Sequence, residues 1–214
     1  MSIWAVAISL PFGILAAWCL ARLSFPGKTL VDVIIHLPLV VPPIVIGYLL
    51  LLLFGKNGAI GAWLHDIFGV TISFSWQGAA IAAAVMAFPL MVRAIRLSIE
   101  AIDPRLEQAA RTLGASPLDV FINITLPLTG SGIVVGIILA FARALGEFGA
   151  TITFVSAIPG ETNTLPITLY TLAQVPGQEG SALRLVIISL VIAFLSMLAS
   201  EFIARRVRKR IAGL

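Results

Sequence analysis

The chain predicts an all-α, polytopic membrane protein with five transmembrane helices, on three observations. Hydrophobic residues fill 59% of the 214 positions and charged residues only 11%. A soluble domain carries about 25% charge and could not hide so much apolar surface, so lipid is the expected solvent. Five apolar runs reach the roughly 17–25 residues that a helix needs to cross a bilayer. The basic residues gather at the ends of those runs, as membrane topology demands. That placement also accounts for the net charge of +4 without invoking nucleic acid as a partner.

The first run, residues 3–21, is closed by Arg22. No basic segment precedes it, so it reads as a retained span and not a cleaved signal peptide. The natural N-terminus could extend a few residues further. Cys19, the single cysteine, lies inside this run as small apolar filler, which leaves no intrachain disulfide and no cysteine-cluster metal site. The second run, 33–54, contains Pro38, Pro42 and Pro43. Prolines remove ladder donors and bend a helix, so this element is either a kinked, pathway-lining helix or a structural kink, with His36 near the inner surface. The third run, 72–92, is closed by Arg93 and Arg96, and the fourth is 128–148. The fifth, 185–202, is followed by Arg205, Arg206, Arg208, Lys209 and Arg210. No soluble domain is evident, so residues 1–214 read as one membrane domain.

Orientation follows from the basic residues. The C-terminal cluster and the loop bearing Arg93, Arg96, Arg105 and Arg111 belong in the cytoplasm, as does the first loop with Arg22 and Lys28. The outer loops carry only Lys56 and Arg184. Five crossings then leave the N-terminus outside and the C-terminus inside. The apolar, β-branched stretch 148–159 could count as a sixth crossing, but that would put the C-terminal arginines outside. A re-entrant segment covered by protein or a water-filled cavity fits better. Residues 160–182 then form an outer loop with turns at Pro159-Gly160 and Pro176-Gly177 and a short helix over 165–174.

Between the third and fourth runs, residues 103–126 form a polar, helix-forming loop at the membrane surface. Asp103 can cap a helix with Pro104 at its first position. Gly114 suits the left-handed residue that ends that helix after Leu113, and Ser116-Pro117 repeats the start signal for a second short helix to about Asn123. Pro127 is expected to open the fourth span. Glu100, Asp103 and Glu107 share one helical side and are expected to form a solvated face. Local features alone fit a rigid knob for a partner's groove or an ordinary surface linker equally.

The spacing adds a resemblance. Ala109-Ala110, Gly114, then Ile124-x-Leu126-Pro127, with nine residues between Gly114 and Ile124, resembles the cytoplasmic coupling loop of bacterial ABC importer permeases. The resemblance implies a type I importer permease architecture. It implies that Glu107, Gln108, Ala109, Ala110, Gly114, Ala115, Ile124, Leu126 and Pro127 belong to the surface that docks an ATPase. The family loop usually has Glu directly before Ala-Ala, whereas here Gln108 holds that place and Glu107 precedes it. Neighbouring helix residues point about 100° apart, so Glu107 is no simple substitute for a carboxylate at 108.

The string FARALGEFGATITFVSAIPGET, residues 141–162, is similar to the molybdate branch of that family, and sulfate and tungstate permeases share much of the pattern. Arg143 and Glu147 stand i, i+4 near the outer end of the fourth run and can pair. Ionisable groups at membrane depth mark pathways or buried pairs. Two readings are open: a pair that locks helices, or Arg143 lending positive potential to an anion route. Thr151, Pro42 and Pro43 are the other pathway candidates.

No phosphate loop of the GxxxxGK[ST] type, HExxH, GxSxG or close Cys/His set occurs, so neither a catalytic nor a metal site is expected. An intramembrane enzyme would need paired groups at matching depth, and only Arg143 and Glu147 come close. An ATP-independent carrier would leave the coupling loop unexplained. The resemblance instead implies a permease in the bacterial inner membrane that binds no cofactor itself. Its implied partners are a second copy of the chain, two ATPase subunits that use ATP, and an external oxyanion-binding protein.

Overall fold

The computed structural model describes residues 1–211, apart from the side chains of several residues beyond 199. The side chains of Arg206, Arg208, Lys209 and Arg210, four of the five basic residues expected to hold the C-terminus inside, lie outside the described residues. All regular elements among the described residues are helical.

Helix α5 (Trp76–Glu100) is the centre of the molecule. It starts where Ser75 accepts a hydrogen bond from the Gly78 amide. Its alanines let neighbours approach closely, as small residues do between helices in lipid. Against it pack α1 (Ser2–Arg22) and α9 (Gly130–Leu145), burying Ala5, Ala17, Leu20, Ala83, Ala87 and Met91, among others, in one core. Gly132 and Gly136 on α9 sit where an added Cβ would fall 2.1 Å from Ser98 Cβ or 3.1 Å from Ile95 Cγ1. Helix α5 also continues beyond Val92, through Arg93 and Arg96 to Glu100, correcting the expected end. Charges end a membrane span, but Arg and Glu are good helix formers and need not end the helix.

The second run is not one straight helix. Helix α2 (Lys28–His36), a 3-10 turn at Leu37–Leu39 and α3 (Pro43–Phe54) meet at a bend of 112°. Pro42 and Pro43 cannot continue an incoming ladder, but Pro43 is well placed to start a new one. At 12 residues α3 extends only about 18 Å, short of a hydrocarbon core about 30 Å thick. It packs on α10 (Gly149–Val155), the segment expected to be re-entrant. Gly47 makes the approach possible, since a Cβ there would stand 2.9 Å from Ala150 Cα. Ile46, Leu50, Met86, Ala150, Phe154 and Val155 form this second core, so protein covers the short helix.

A helix that sequence reading missed, α4 (Ala59–Phe68), follows α3 and ends at left-handed Gly69. After the loop helices α6 (Pro104–Thr112), α7 (Pro117–Val120) and α8 (Leu126–Leu128) come α9, α10, α11 (Leu165–Ala173) and α12 (Glu179–Ile211). Helix α11 matches the expected short helix. The fourth run begins at Gly130 and not at Pro127, because the chain turns by 67° between Pro117–Leu128 and α9. It ends at Leu145, where the chain breaks before α10. The fifth run is longer than expected at both ends. None of the most apolar stretch of α12 is buried, leaving residues such as Leu190 and Phe194 for lipid or another chain.

By length and composition, three helices among the described residues can cross a membrane (α1, α5 and α12), and five elements can if each bent pair counts as one.

Candidate coupling surface and pathway residues

The loop after α5 is built by its own caps. Asp103 Oδ1 accepts from the Arg105 amide at 2.9 Å, and Pro104 opens α6. The helix closes with paired 6→1 and 5→2 bonds: the Ala115 amide to the Ala110 carbonyl at 3.1 Å, and the Gly114 amide to the Arg111 carbonyl at 3.0 Å. This closure requires a left-handed residue, and Gly114 has φ +91°. Ser116 and Asp119 then form a reciprocal capping box that starts α7. The second helix does not stop near Asn123. It runs through a π turn at Phe121–Thr125 into α8, since Pro127 cannot donate to the ladder.

The knob so formed is apolar on its outer side. Leu106, Leu113, Leu118 and Ile122 are exposed, Leu113 by 89%. Gln108, Ala109, Gly114 and Pro127 are exposed with them, whereas Ala110, Ala115, Ile124 and Leu126 are half-buried. Exposed apolar side chains on a rigid projection suit insertion into a groove.

Glu107 departs from the expected solvated face, on which only Glu100 and Asp103 are exposed. Glu100 pairs with Arg96 and Asp103 is a cap, while Glu107 is 6% exposed and turned inward. Its Oε1 accepts from Arg22 Nε at 3.0 Å and from Thr125 Oγ1 at 2.9 Å. Arg22 Nη2 also donates to the Ile102 carbonyl at 3.2 Å. Helical periodicity cannot reveal a partner that lies at the end of α1.

The second constellation gathers where α9 breaks. Arg143 pairs with Glu147 Oε2, as its spacing suggested. Glu147 has a second task that the sequence did not show: its Oε1 accepts from the Ala150 amide at 2.8 Å, capping α10. Its side chain is 1% exposed, that of Arg143 27%. Thr151 donates to the Phe148 carbonyl at 2.8 Å. Glu147 and Thr151 line one cavity of about 230 Å³ with Ala79, Ala83, Asn163 and Thr164, whereas Arg143, Pro42 and Pro43 do not line it. Pro43 abuts Gly149, where an added Cβ would stand 2.8 Å from its own, and Pro42 is exposed. Further along the same string, Thr162 donates to the Ser156 carbonyl at 2.9 Å and accepts from the Ile158 amide at 2.8 Å. That fastening holds Ser156 at φ 59°, a conformation costly outside glycine.

A third group escaped sequence reading. Arg96 Nη1 donates to Asp32 Oδ2 at 2.9 Å and Arg96 Nε to Glu100 Oε1 at 2.7 Å, with His36 beside Asp32. Arg96–Glu100 and Asp32–His36 are each spaced i, i+4, but the Arg96–Asp32 contact spans 64 positions and has no local signal. Asp32 and His36 come from α2, and the Asp32–Arg96 pair ties that helix to α5.

Residues 9–209 match the model of a family described as the binding-protein-dependent transport system inner membrane component. The chain is 63% identical over 206 residues to the molybdenum transport system permease protein ModB of Escherichia coli (strain K12), covering 96% of this chain and 90% of that protein. It is 39% identical to the sulfate transport system permease protein CysW of Synechocystis sp., covering 89% of this chain and 70% of that one. Among solved structures, an inward-facing conformation of the MetNI methionine ABC transporter superposes with a TM-score of 0.71 at 18% identity, over 96% of this chain and 88% of that one, which establishes a shared fold.

Proposed function

The chain belongs to the binding-protein-dependent transport system inner membrane component family, and from that premise we propose that it forms the molybdate path of an ATP-driven importer. The observation that carries the substrate is the 63% identity to a molybdenum permease across 96% of the chain, against 39% to a sulfate permease. Sulfate or tungstate remains the alternative cargo, and an ATP-independent carrier the more distant reading.

In this reading residues 1–214 are one permease domain of the bacterial inner membrane, and two copies enclose the path. Two separate ATPase subunits hydrolyse ATP, and an external binding protein delivers the oxyanion. The chain itself is a transport subunit that binds no cofactor or metal. The 103–126 loop is the cytoplasmic docking element. Its capped, bent shape and its exposed Leu113 and Leu118 support that role, with Gln108, Ala109, Ala110, Gly114, Ala115, Ile124, Leu126 and Pro127 at or beside the contact. ATP-driven closure of the ATPases would move this knob and open the path outward. An oxyanion is held without a metal by hydroxyls, backbone N–H groups and helix N-termini.

Purified complex in proteoliposomes tests the reading. Molybdate-loaded binding protein should stimulate ATP hydrolysis and uptake several-fold over the anion-free protein, and sulfate at equal concentration should not. Stimulation by sulfate alone would assign the other cargo. Uptake that needs no ATPase would sink the importer reading.

Five crossings with the N-terminus outside make a separate prediction. A reporter active only in the cytoplasm should work when fused after Leu214, and one active only outside should work near Gly177. Both sites reporting the same side would rule out this topology.

A further inference from the structure

We propose that Arg22 is a positioning residue that grips the coupling loop and makes α1 move with it, an inference that rests on the importer reading above. Two polar contacts join the loop to the end of α1, and a third ties its exit to the same carboxylate. The Ile102 carbonyl, at the entry to the loop, accepts from Arg22 Nη2 at 3.2 Å. Glu107, on α6, accepts from Arg22 Nε at 3.0 Å. Thr125, on the way out of the loop, donates to the same Glu107 oxygen at 2.9 Å. Entry, first helix and exit are thus joined through one guanidinium.

The joint is shielded from water, with 15% of the Arg22 side chain and 8% of the Glu107 side chain exposed. Such a pair is screened less than a surface one, and its geometry is held by the fork of the guanidinium. One turn earlier on α1, the Trp18 ring stands edge-on to Phe121, centroids 5.5 Å apart. Leu113 at the tip of the knob is exposed, and beside the chain's own connections to α5 and α9 this joint gives a displacement imposed there a route into α1. Helix α1 shares its buried face with α5 and α9, and it would carry the displacement into the spans.

A lysine could reach Glu107 but lacks the fork needed to hold the Ile102 carbonyl as well. The test uses Arg22→Gln, Glu107→Gln, their double variant and Arg22→Lys, each as whole complex in proteoliposomes with molybdate-loaded binding protein. Assembled complex, ATP hydrolysis, and molybdate taken up per ATP are measured. Reactivity of a cysteine at Ile8, an exposed position on α1, is followed with and without a non-hydrolysable ATP analogue.

The expected result is assembled complex that hydrolyses ATP but imports at least tenfold less molybdate per ATP in both Gln variants. The double variant should be no worse than either single one, as for residues acting as a unit. Arg22→Lys should fall by at least twofold. Reactivity at Ile8 should change with nucleotide in the parent and not in Arg22→Gln, a response that a merely structural role would not remove. Parental uptake per ATP in assembled Arg22→Lys and Arg22→Gln overturns the proposal. Failure of all four variants to assemble also overturns it, because Arg22 would then serve folding. Failure of the importer reading itself would show in the parent complex, as absent stimulation by molybdate.

Discussion

Valine at position 114 should leave ATP hydrolysis running while uptake falls at least tenfold. Gly114 stands at φ +91°, and a Cβ added there meets nothing within 4 Å. The penalty is therefore one of backbone conformation and not of crowding. A β-branched residue in this region costs about 1–3 kcal/mol, which the exposed loop can relieve by abandoning the left-handed turn. The 6→1 and 5→2 closure between Ala110 and Ala115 would then open, and α7 would leave its angle to α6. The assembled core is untouched, so the damage should fall on coupling. Asparagine tolerates the left-handed region, so Gly114→Asn should retain most uptake and separates conformation from side-chain bulk. Measuring ATP hydrolysis and uptake for both variants decides the point: full coupling in Gly114→Val would mean that the bend is not what the ATPase engages.

Arg143→Gln should cost most of the assembled complex. Glu147 is almost wholly buried, and one of its carboxylate oxygens is committed to the Ala150 amide. Without Arg143 its charge lacks a counter-ion, a loss of about 3–5 kcal/mol for a broken buried pair. Glu147→Gln should be milder. It strands only Arg143, which is 27% exposed and can reach polar surroundings, and a glutamine oxygen can still accept from Ala150. The double variant should recover much of the assembly lost in Arg143→Gln. Uptake then separates the two readings of this pair. Recovery of both assembly and uptake assigns the pair to locking α9 against α10. Recovered assembly without uptake would place Arg143 on the anion route.

The features read correctly from sequence are those whose cause lies within a few residues. Asp103-Pro104, Gly114 and Ser116-Pro117 each mark a helix end because capping is a contact between near neighbours. Arg143 and Glu147 are one helical turn apart, so their pairing was legible, although the cap that Glu147 provides to α10 was not. The stretch 148–159 was legible as apolar, but its packing as a short helix against α3 was not. The short length of α3 was not, since three prolines announce a bend without setting its angle.

Composition and the spacing of apolar runs by themselves determined the all-α membrane class, and the motif in the 103–126 loop identified the family. Tertiary structure alone decided which way the charges face. Glu107 reads as a surface residue until α1 brings Arg22 to it across 85 positions of chain, and Asp32 finds Arg96 only once α2 packs against α5. Charges near a membrane edge find partners by proximity in space, and a helical pattern records only which side of its own cylinder a residue occupies, not what stands opposite.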